Sequence, residues 1–303
     1  SFDALSLSGG IRWEQTYNWF ENRDDASINF HRTFGNMFPS LSVSYKLTDA
    51  TDLQLSYARR INRPTGPQLN PYIDRTDSLN WRSGNPALLP EYTNAYRVGV
   101  LQTIDQSMLN VEAFVRQTTN AIQQRYREEV APGVILERPY NFGNVINTGI
   151  SGTAHVVLAP WLNMNTELSY FYQYAGGEFN GQTVDSEGYG WNGRLIVNAS
   201  LPLAIKGQAF LEYTAPQVIP QGTRRQYSIV SLAMNREFKE EHLTVGFNWS
   251  DIFNTAIFGG TVSGDGFSSS ILNRRDFPLV SLTVSYRIND YPGELPRTAP
   301  GGV

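Results

Sequence analysis

The stretch Ser40-Leu41-Ser42-Val43-Ser44-Tyr45-Lys46-Leu47 switches between polar and apolar at every residue. A β-strand points successive side chains to opposite faces of its sheet. Leu41, Val43, Tyr45 and Leu47 therefore share one face, and Ser42, Ser44 and Lys46 the other. The same two-residue period marks twelve runs, at residues 4–18, 38–48, 52–62, 93–104, 107–123, 144–159, 161–175, 189–202, 205–214, 226–238, 242–255 and 274–289. No stretch reaches the roughly 18 consecutive apolar residues that a membrane helix needs.

Between these runs, short connections alternate with long ones. Residues 48–51, 104–107, 159–161, 201–204 and 238–241 are tight turns, while 19–37, 63–92, 124–143, 176–188, 215–225 and 256–273 are long and rich in Gly, Asn, Pro and aromatics. Outer-membrane barrels alternate in this way, with short periplasmic turns and long outer loops. The order of lengths predicts that the chain starts and ends on the periplasmic side.

A soluble sandwich also alternates, but its strands average about five or six residues. These runs reach ten or more, enough to cross hydrocarbon at a tilt. Aromatics cluster at strand ends, as interfacial girdles require: Trp13, Tyr45, Tyr57, Tyr96, Trp161, Tyr170, Tyr213, Trp249 and Tyr286. The opposite face carries Arg12, Glu14, Glu112, Arg116, Glu167, Arg194, Glu212 and Arg287. A dry sandwich core cannot solvate so many ions, whereas a water-filled lumen can. The fold class expected is all-β: a transmembrane antiparallel up-and-down barrel with about 12 strands in this chain. It occupies residues 1–289, and residues 290–303, rich in Pro and Gly, read as a flexible periplasmic tail.

Composition narrows the function. Charged residues make up 17% of the 303 residues, against about a quarter in typical domains, while aromatics reach 13%. The net charge of −4 is too small to steer nucleic acid, so no nucleic-acid partner is expected. Cysteine is absent, which removes disulfides, thiolate nucleophiles and thiolate metal sites. His31, His155 and His242 stand far apart without carboxylates or imidazoles at ligand spacing, so neither a metal site nor a catalytic site is assigned. No nucleotide or hydrolase motif occurs, no cofactor is implied, and the chain reads as a non-enzyme. Asp24-Asp25 is an exposed acidic spot where a divalent ion is conceivable. The chain opens inside an alternating run, without a signal peptide's basic start or apolar core, and so reads as a fragment or a processed piece.

Three segments go beyond barrel physics. Tyr57-Ala58-Arg59-Arg60-Ile61-Asn62-Arg63-Pro64 leads through Leu69-Asn70-Pro71-Tyr72 to Gly84-Asn85-Pro86-Ala87-Leu88-Leu89-Pro90-Glu91-Tyr92. Ser250-Asp251-Ile252-Phe253-Asn254-Thr255 closes the eleventh run, and Gly10-Ile11-Arg12-Trp13-Glu14 marks the first. With Phe38-Pro39 before the stretch quoted above, they resemble the C-terminal half of a TonB-dependent outer-membrane receptor, of the Bacteroidetes-type outer membrane beta-barrel family. The resemblance covers nearly the whole chain.

The resemblance implies a barrel of about 22 strands, a plug within it, and uptake of a scarce ligand (siderophore, glycan, peptide or vitamin) across the outer membrane of a Gram-negative bacterium. The partners implied are outer-membrane lipid, the N-terminal plug and remaining barrel strands, and TonB acting through the plug. A surface lipoprotein or an envelope-complex partner is also admitted. This chain holds no plug or TonB-box segment, and two other readings stand beside transport: a structural or partner-binding subunit of an envelope assembly, and a small passive pore of about twelve strands closed by pairing the first with the last.

Arg63, Pro64, Gly84, Asn85, Pro86, Pro90, Glu91, Asp251, Phe253 and Asn254 carry the resemblance. Their physical reading is structural. Prolines fix φ and remove donors, so Gly84 to Glu91 reads as a rigid rim loop, with direct ligand contact as the sharper alternative. Asp251 and Asn254 cap the strand by bonding local backbone, while the apolar pair between them packs at the rim. Among loop aromatics, Trp19, Phe20, Tyr72, Trp81, Tyr126 and Tyr140 are the candidates for a stacking platform that binds ligand. Equally, they fit a girdle or loop packing. The lumen charges either brace the wall by mutual neutralisation or guide a polar solute.

Overall fold

A computed structural model of the chain describes residues 4–21, 29–179, 182–238, 242–264, 267–274 and 278–288. The strands are β1 (Leu5–Phe20), β2 (Phe30–Thr48), β3 (Thr51–Asn62), β4 (Asn80–Arg82), β5 (Glu91–Ile104), β6 (Ser107–Ala131), β7 (Val134–Ala159), β8 (Leu162–Phe179) and β9 (Gln182–Leu201). They continue as β10 (Ile205–Thr214), β11 (Gln217–Ile219), β12 (Gly222–Arg224), β13 (Tyr227–Phe238), β14 (Leu243–Ser250), β15 (Ile257–Gly264), β16 (Phe267–Arg274) and β17 (Leu279–Tyr286). One short helix, α1 (Gly66–Leu69), lies between β3 and β4.

Twelve strands form one antiparallel wall in the order β1-β2-β3-β5-β6-β7-β8-β9-β10-β13-β14-β17, and each falls on one of the twelve runs read from the sequence. Among the described residues β1 pairs only with β2 and β17 only with β14, so the wall is open there. That contradicts a twelve-strand pore closed by pairing of the first strand with the last.

The register carries the alternation from strand to strand. Val43 stands opposite Leu7 and Leu55. Leu55 stands opposite Val98, Val98 opposite Ala113, and Ala113 opposite Ile150. Tyr170 faces Ile150 and Trp191, and the row resumes as Leu195, Leu211 and Val230, then Leu232, Trp249 and Val280. Because residues opposite in register share a face, these side chains form one apolar surface across the wall. That surface is bare: Val98 is 60% exposed, Ile150 59% and Leu282 70%. Among the described residues no second sheet packs against Leu41, Leu282 or Val284, which all stand exposed. An apolar face this large, left uncovered, fits hydrocarbon as its solvent. Stacked aromatics cross it in neighbouring strands, Tyr57 with Tyr96 at 4.9 Å, Tyr170 with Tyr189 at 5.9 Å and Trp191 with Tyr213 at 4.4 Å.

The opposite face holds the charges in pairs. Arg12 meets Glu14 at 2.7 Å, Arg97 meets Glu112 at 3.6 Å, and Arg194 meets Glu212 at 3.1 Å. Arg12 also lies over the Phe38 ring.

The turns at 49–50, 105–106, 160–161 and 202–204 are short, and Asp105 adopts φ 51° in the second of them. The connection at 239–241, Asp24-Asp25 and the tail at 290–303 lie outside the described residues. The other end of the wall departs from the expectation of long loops. Residues 124–143 form a tall hairpin, since β6 runs to Ala131 and β7 resumes at Val134 with Gly133 at φ 75°. Likewise β8 runs to Phe179 and β9 begins at Gln182. Within 215–225 and 256–273, β11, β12, β15 and β16 build a separate four-stranded sheet.

Buried side chains gather at this long-loop end, among them Leu88, Ile122, Tyr126, Leu136, Phe142 and Ala256. The wall needs no dry core of its own if lipid covers one face and water the other.

Candidate functional site

Two structures fold over the polar face at the long-loop end. The first is the segment 63–90. Arg63 anchors its start, donating from Nε to Thr16 Oγ1 at 3.0 Å and pairing through Nη2 with Glu14, both on the polar face of β1. Pro64 is buried behind it. Near the segment's end, Arg32 of β2 donates to the Leu88 carbonyl at 3.0 Å.

Gly84 and Asn85 close this segment on itself. Their backbone N–H groups donate to the carbonyls of Asn70 and Gln68 at 2.8 and 2.6 Å. A Cβ on Gly84 would lie 2.5 Å from the Asn70 oxygen, so only glycine fits. The Asn85 side chain accepts from the Ala87 N–H at 2.9 Å and donates to the Pro139 carbonyl at 3.1 Å. Pro86 follows half-buried, and Pro90 is buried and accepts at its carbonyl from Asn120. Glu91 receives the Asn62 side chain and the Ile122 N–H on its two carboxylate oxygens. β4 then adds in parallel to β7, with Trp81 opposite Leu136.

The second structure is the small sheet. Its β11 lies over the polar face of β8 and β9, where Gln173 donates to the Val218 carbonyl at 3.2 Å. Gln221, buried, latches β12's approach to the tall hairpin: it accepts from the Arg127 N–H at 3.1 Å and donates to the Arg127 carbonyl at 2.9 Å. β12 pairs with β15 through Gly260, whose φ of 158° and Cβ position 1.9 Å from the Thr223 oxygen both require glycine.

Between the small sheet and β6 lies a cavity of about 590 Å³. Ile122, Ile219, Val262, Ile271 and Phe258 supply apolar wall, and Arg127, Arg224 and Arg225 supply positive charge. Arg127 is tied to Glu137, with Nε and Nη2 at 3.0 and 2.8 Å from one carboxylate oxygen. Tyr227 closes the lower side, its ring 4.8 Å from Phe258 and its hydroxyl donating to Glu212 at 2.8 Å. Below Tyr227 a second, smaller space of about 200 Å³ opens beside Glu167, Arg194 and Glu212. Tyr227 borders both spaces.

The six aromatics proposed from sequence do not form one platform. Tyr126 and Tyr140 meet at 5.9 Å across the tall hairpin, with Tyr126 buried. Phe20 stacks on Phe30 at 5.9 Å at the tip of β1, and neighbouring Trp19 falls in register with the apolar face. Trp81 lies under the Arg75 guanidinium at 4.5 Å, and Tyr72 is exposed on the folded segment. At the end of β14, Asp251 is buried at φ 50° and accepts from the N–H groups of Thr255 and Ala256 at 2.9 and 3.1 Å. Asn254 sits at φ 53° and donates its own N–H back to the Asp251 carbonyl at 2.9 Å. Phe253, expected to pack at the rim, is instead 69% exposed, because the tight turn from 251 to 254 carries it away from the wall. The cavity's own residues were missed from sequence. Their only local signal is the pair Arg224-Arg225, and nothing local pairs residues 222–224 with 260–262.

Among the described residues no group of three or more His, Cys, Asp or Glu could hold a metal ion. His155 instead meets Asn165 at 2.9 Å.

An antiparallel wall with one face for lipid, one for water and a folded mouth is the wall of a membrane-spanning β-barrel. Residues 1–286 match the outer membrane protein beta-barrel family, and the chain belongs to it. No curated protein matches the sequence. Among solved structures, the siderophore receptor PirA from Pseudomonas aeruginosa is similar at 18% identity, over 83% of this chain and 40% of that one, with TM-score 0.55. The copper transporter OprC is 14% identical over 94% of this chain and 45% of its own, with TM-score 0.62. The FrpB iron transporter from Neisseria meningitidis is 13% identical over 94% and 43%, with TM-score 0.57. The chain therefore spans less than half the length of these structures, and at such identities the likeness is one of fold.

Proposed function

We propose that this chain is the C-terminal barrel portion of a TonB-dependent transporter of the Gram-negative outer membrane. The observation that carries the reading is the mouth: two inward-folded structures stand over a charged, water-facing wall, and a cavity lies between the small sheet and β6. A passive structural wall has no need of such a mouth. The structures it resembles are described as a siderophore receptor, a copper transporter and an iron transporter, which supports uptake of a scarce solute. In this reading the open edges of β1 and β17 are covered by the remaining barrel strands, a plug fills the lumen, and TonB acts through the plug.

The short turns face the periplasm and the tall hairpins the outside, so both ends of the chain are periplasmic. An epitope inserted between Pro132 and Gly133 is then accessible to antibody on intact cells, and one inserted at Asp105-Gln106 is reached only after the outer membrane is opened. The reverse pattern contradicts the orientation. Transport is tested by capture of the whole detergent-purified protein on immobilised TonB C-terminal domain. Absence of capture from well-folded protein contradicts the TonB-dependent reading.

A further inference from the structure

We infer that the cavity beneath the small sheet is the binding site for a small organic anion with a planar or apolar body, held by Arg224 and Arg225. The inference rests on the transport reading for its purpose but not for its chemistry. The chain as a whole carries a net charge of −4, yet among the described residues the cavity is lined by three arginines and no carboxylate. A surface that merely sampled the chain's composition would hold acids as often as bases.

Two of these cations are uncommitted. Arg127 is neutralised by Glu137 and fixed by Gln221. Arg224 and Arg225, in contrast, are exposed and have no ion pair or side-chain hydrogen bond among the described residues. The nearby acid on the lower side, Glu212, is already shared by Arg194 and the Tyr227 hydroxyl. Guanidinium forks left open in this way match carboxylate, phosphate or sulfonate oxygens in bidentate geometry.

The remaining lining sets the rest of the ligand. Ile219, Val262, Ile271 and Phe258 give an apolar wall that a simple inorganic anion leaves unused. A volume of about 590 Å³ falls in the ordinary range for organic ligands. The site is also rigid where it needs to be. Gly222, Gly259 and Gly260, at φ 151°, 148° and 158°, bring the backbones of β12, β15 and β16 into closer contact than any side chain allows. Arg224 thus stands on a fixed strand and the Arg225 N–H is held by the Gly259 carbonyl at 2.8 Å, which limits the ordering cost on binding.

The probes are naphthalene-2,6-dicarboxylate and its neutral isostere naphthalene-2,6-dicarboxamide, titrated calorimetrically into the whole protein in detergent. The dicarboxylate is expected to bind at least about tenfold more tightly than the diamide, and to weaken as salt is raised. Arg224→Ala/Arg225→Ala is expected to lose roughly tenfold or more of that affinity, and Arg224→Lys/Arg225→Lys to retain more than the alanine pair. Heat-resistant β-sheet circular dichroism establishes that each variant is folded. If the alanine pair fails to fold, wild type and the lysine pair with the two probes still decide.

Equal binding of dicarboxylate and diamide, absence of binding by either, or undiminished binding by a folded alanine pair overturns the inference. Anion binding by a protein that TonB does not capture leaves this site standing and removes the transport reading; TonB capture without anion binding does the opposite.

Discussion

Asp251 occupies a left-handed backbone position with a buried carboxylate that satisfies the N–H groups of Thr255 and Ala256. Removing it leaves two donors without partners where water has little access. Asp251→Ala is expected to cost about 1–3 kcal/mol, read from guanidinium unfolding in lipid vesicles. Asp251→Asn keeps one acceptor and tolerates the same φ, so it is expected to cost less. Equal stability of all three proteins would show that the turn is held by other contacts. At this scale the sequence was informative about capping residues, because Asp at a strand end bonds nearby backbone through chemistry that depends on few neighbours. The exposure of Phe253 was not legible, since it follows from the direction of the turn and not from residue type.

Elements were legible where period and position agreed. All twelve wall strands could be read because, over the lipid-facing part of each, one face meets one solvent, which forces alternation. The tall hairpin of β6 and β7 hid its strands because charges break the apolar row there: Arg127 pairs with Glu137 and Arg138 with Glu128 across it, at 2.8 and 2.9 Å. The small sheet was invisible for another reason. β12 finds its partner β15 only after two wall strands have intervened, and local patterning carries no information about such pairing. The face assignment of β17 predicts a contrast between neighbours. Leu282→Arg is expected to cost about 2–4 kcal/mol in vesicles, as for a charge forced into lipid. Ser281→Arg, on the polar face, is expected to stay within about 0.5 kcal/mol. Similar costs for both would contradict the assignment.

The folded segment 63–90 predicts a pH response. Asp74 is held below its ordinary value of 3.8 first by the Thr76 hydroxyl and then by the Thr76 N–H. Asp77 is lowered first by the Leu79 N–H and then by the Asn80 side chain. Both carboxylates have depressed values in the folded chain, so their contribution is complete above 3.8 and is lost as pH falls through the lowered values. Amide-exchange protection of Thr76, Leu79 and Asn80 is therefore expected to persist on acidification to 3.8 and to fall only below it. Loss of protection already between about pH 5 and pH 4 would contradict the bonding described.

Over the whole molecule, the arrangement has one physical origin. A wall with hydrocarbon on one side and water on the other needs no interior of its own, and its buried side chains collect where the chain folds back over the polar face. That fold-back makes the mouth and the cavity between the small sheet and β6. The chain has no cysteine, so single nitroxide labels can be placed without background. The most direct test is the collision accessibility of labels at Leu41→Cys, Val43→Cys, Leu282→Cys and Val284→Cys against Ser42→Cys, Ser44→Cys, Ser281→Cys and Thr283→Cys, with the protein in lipid vesicles. The first set is expected to collide mainly with oxygen dissolved in hydrocarbon and the second with a water-soluble nickel chelate, alternating residue by residue; accessibility without alternation, or with the two sets exchanged, contradicts the account.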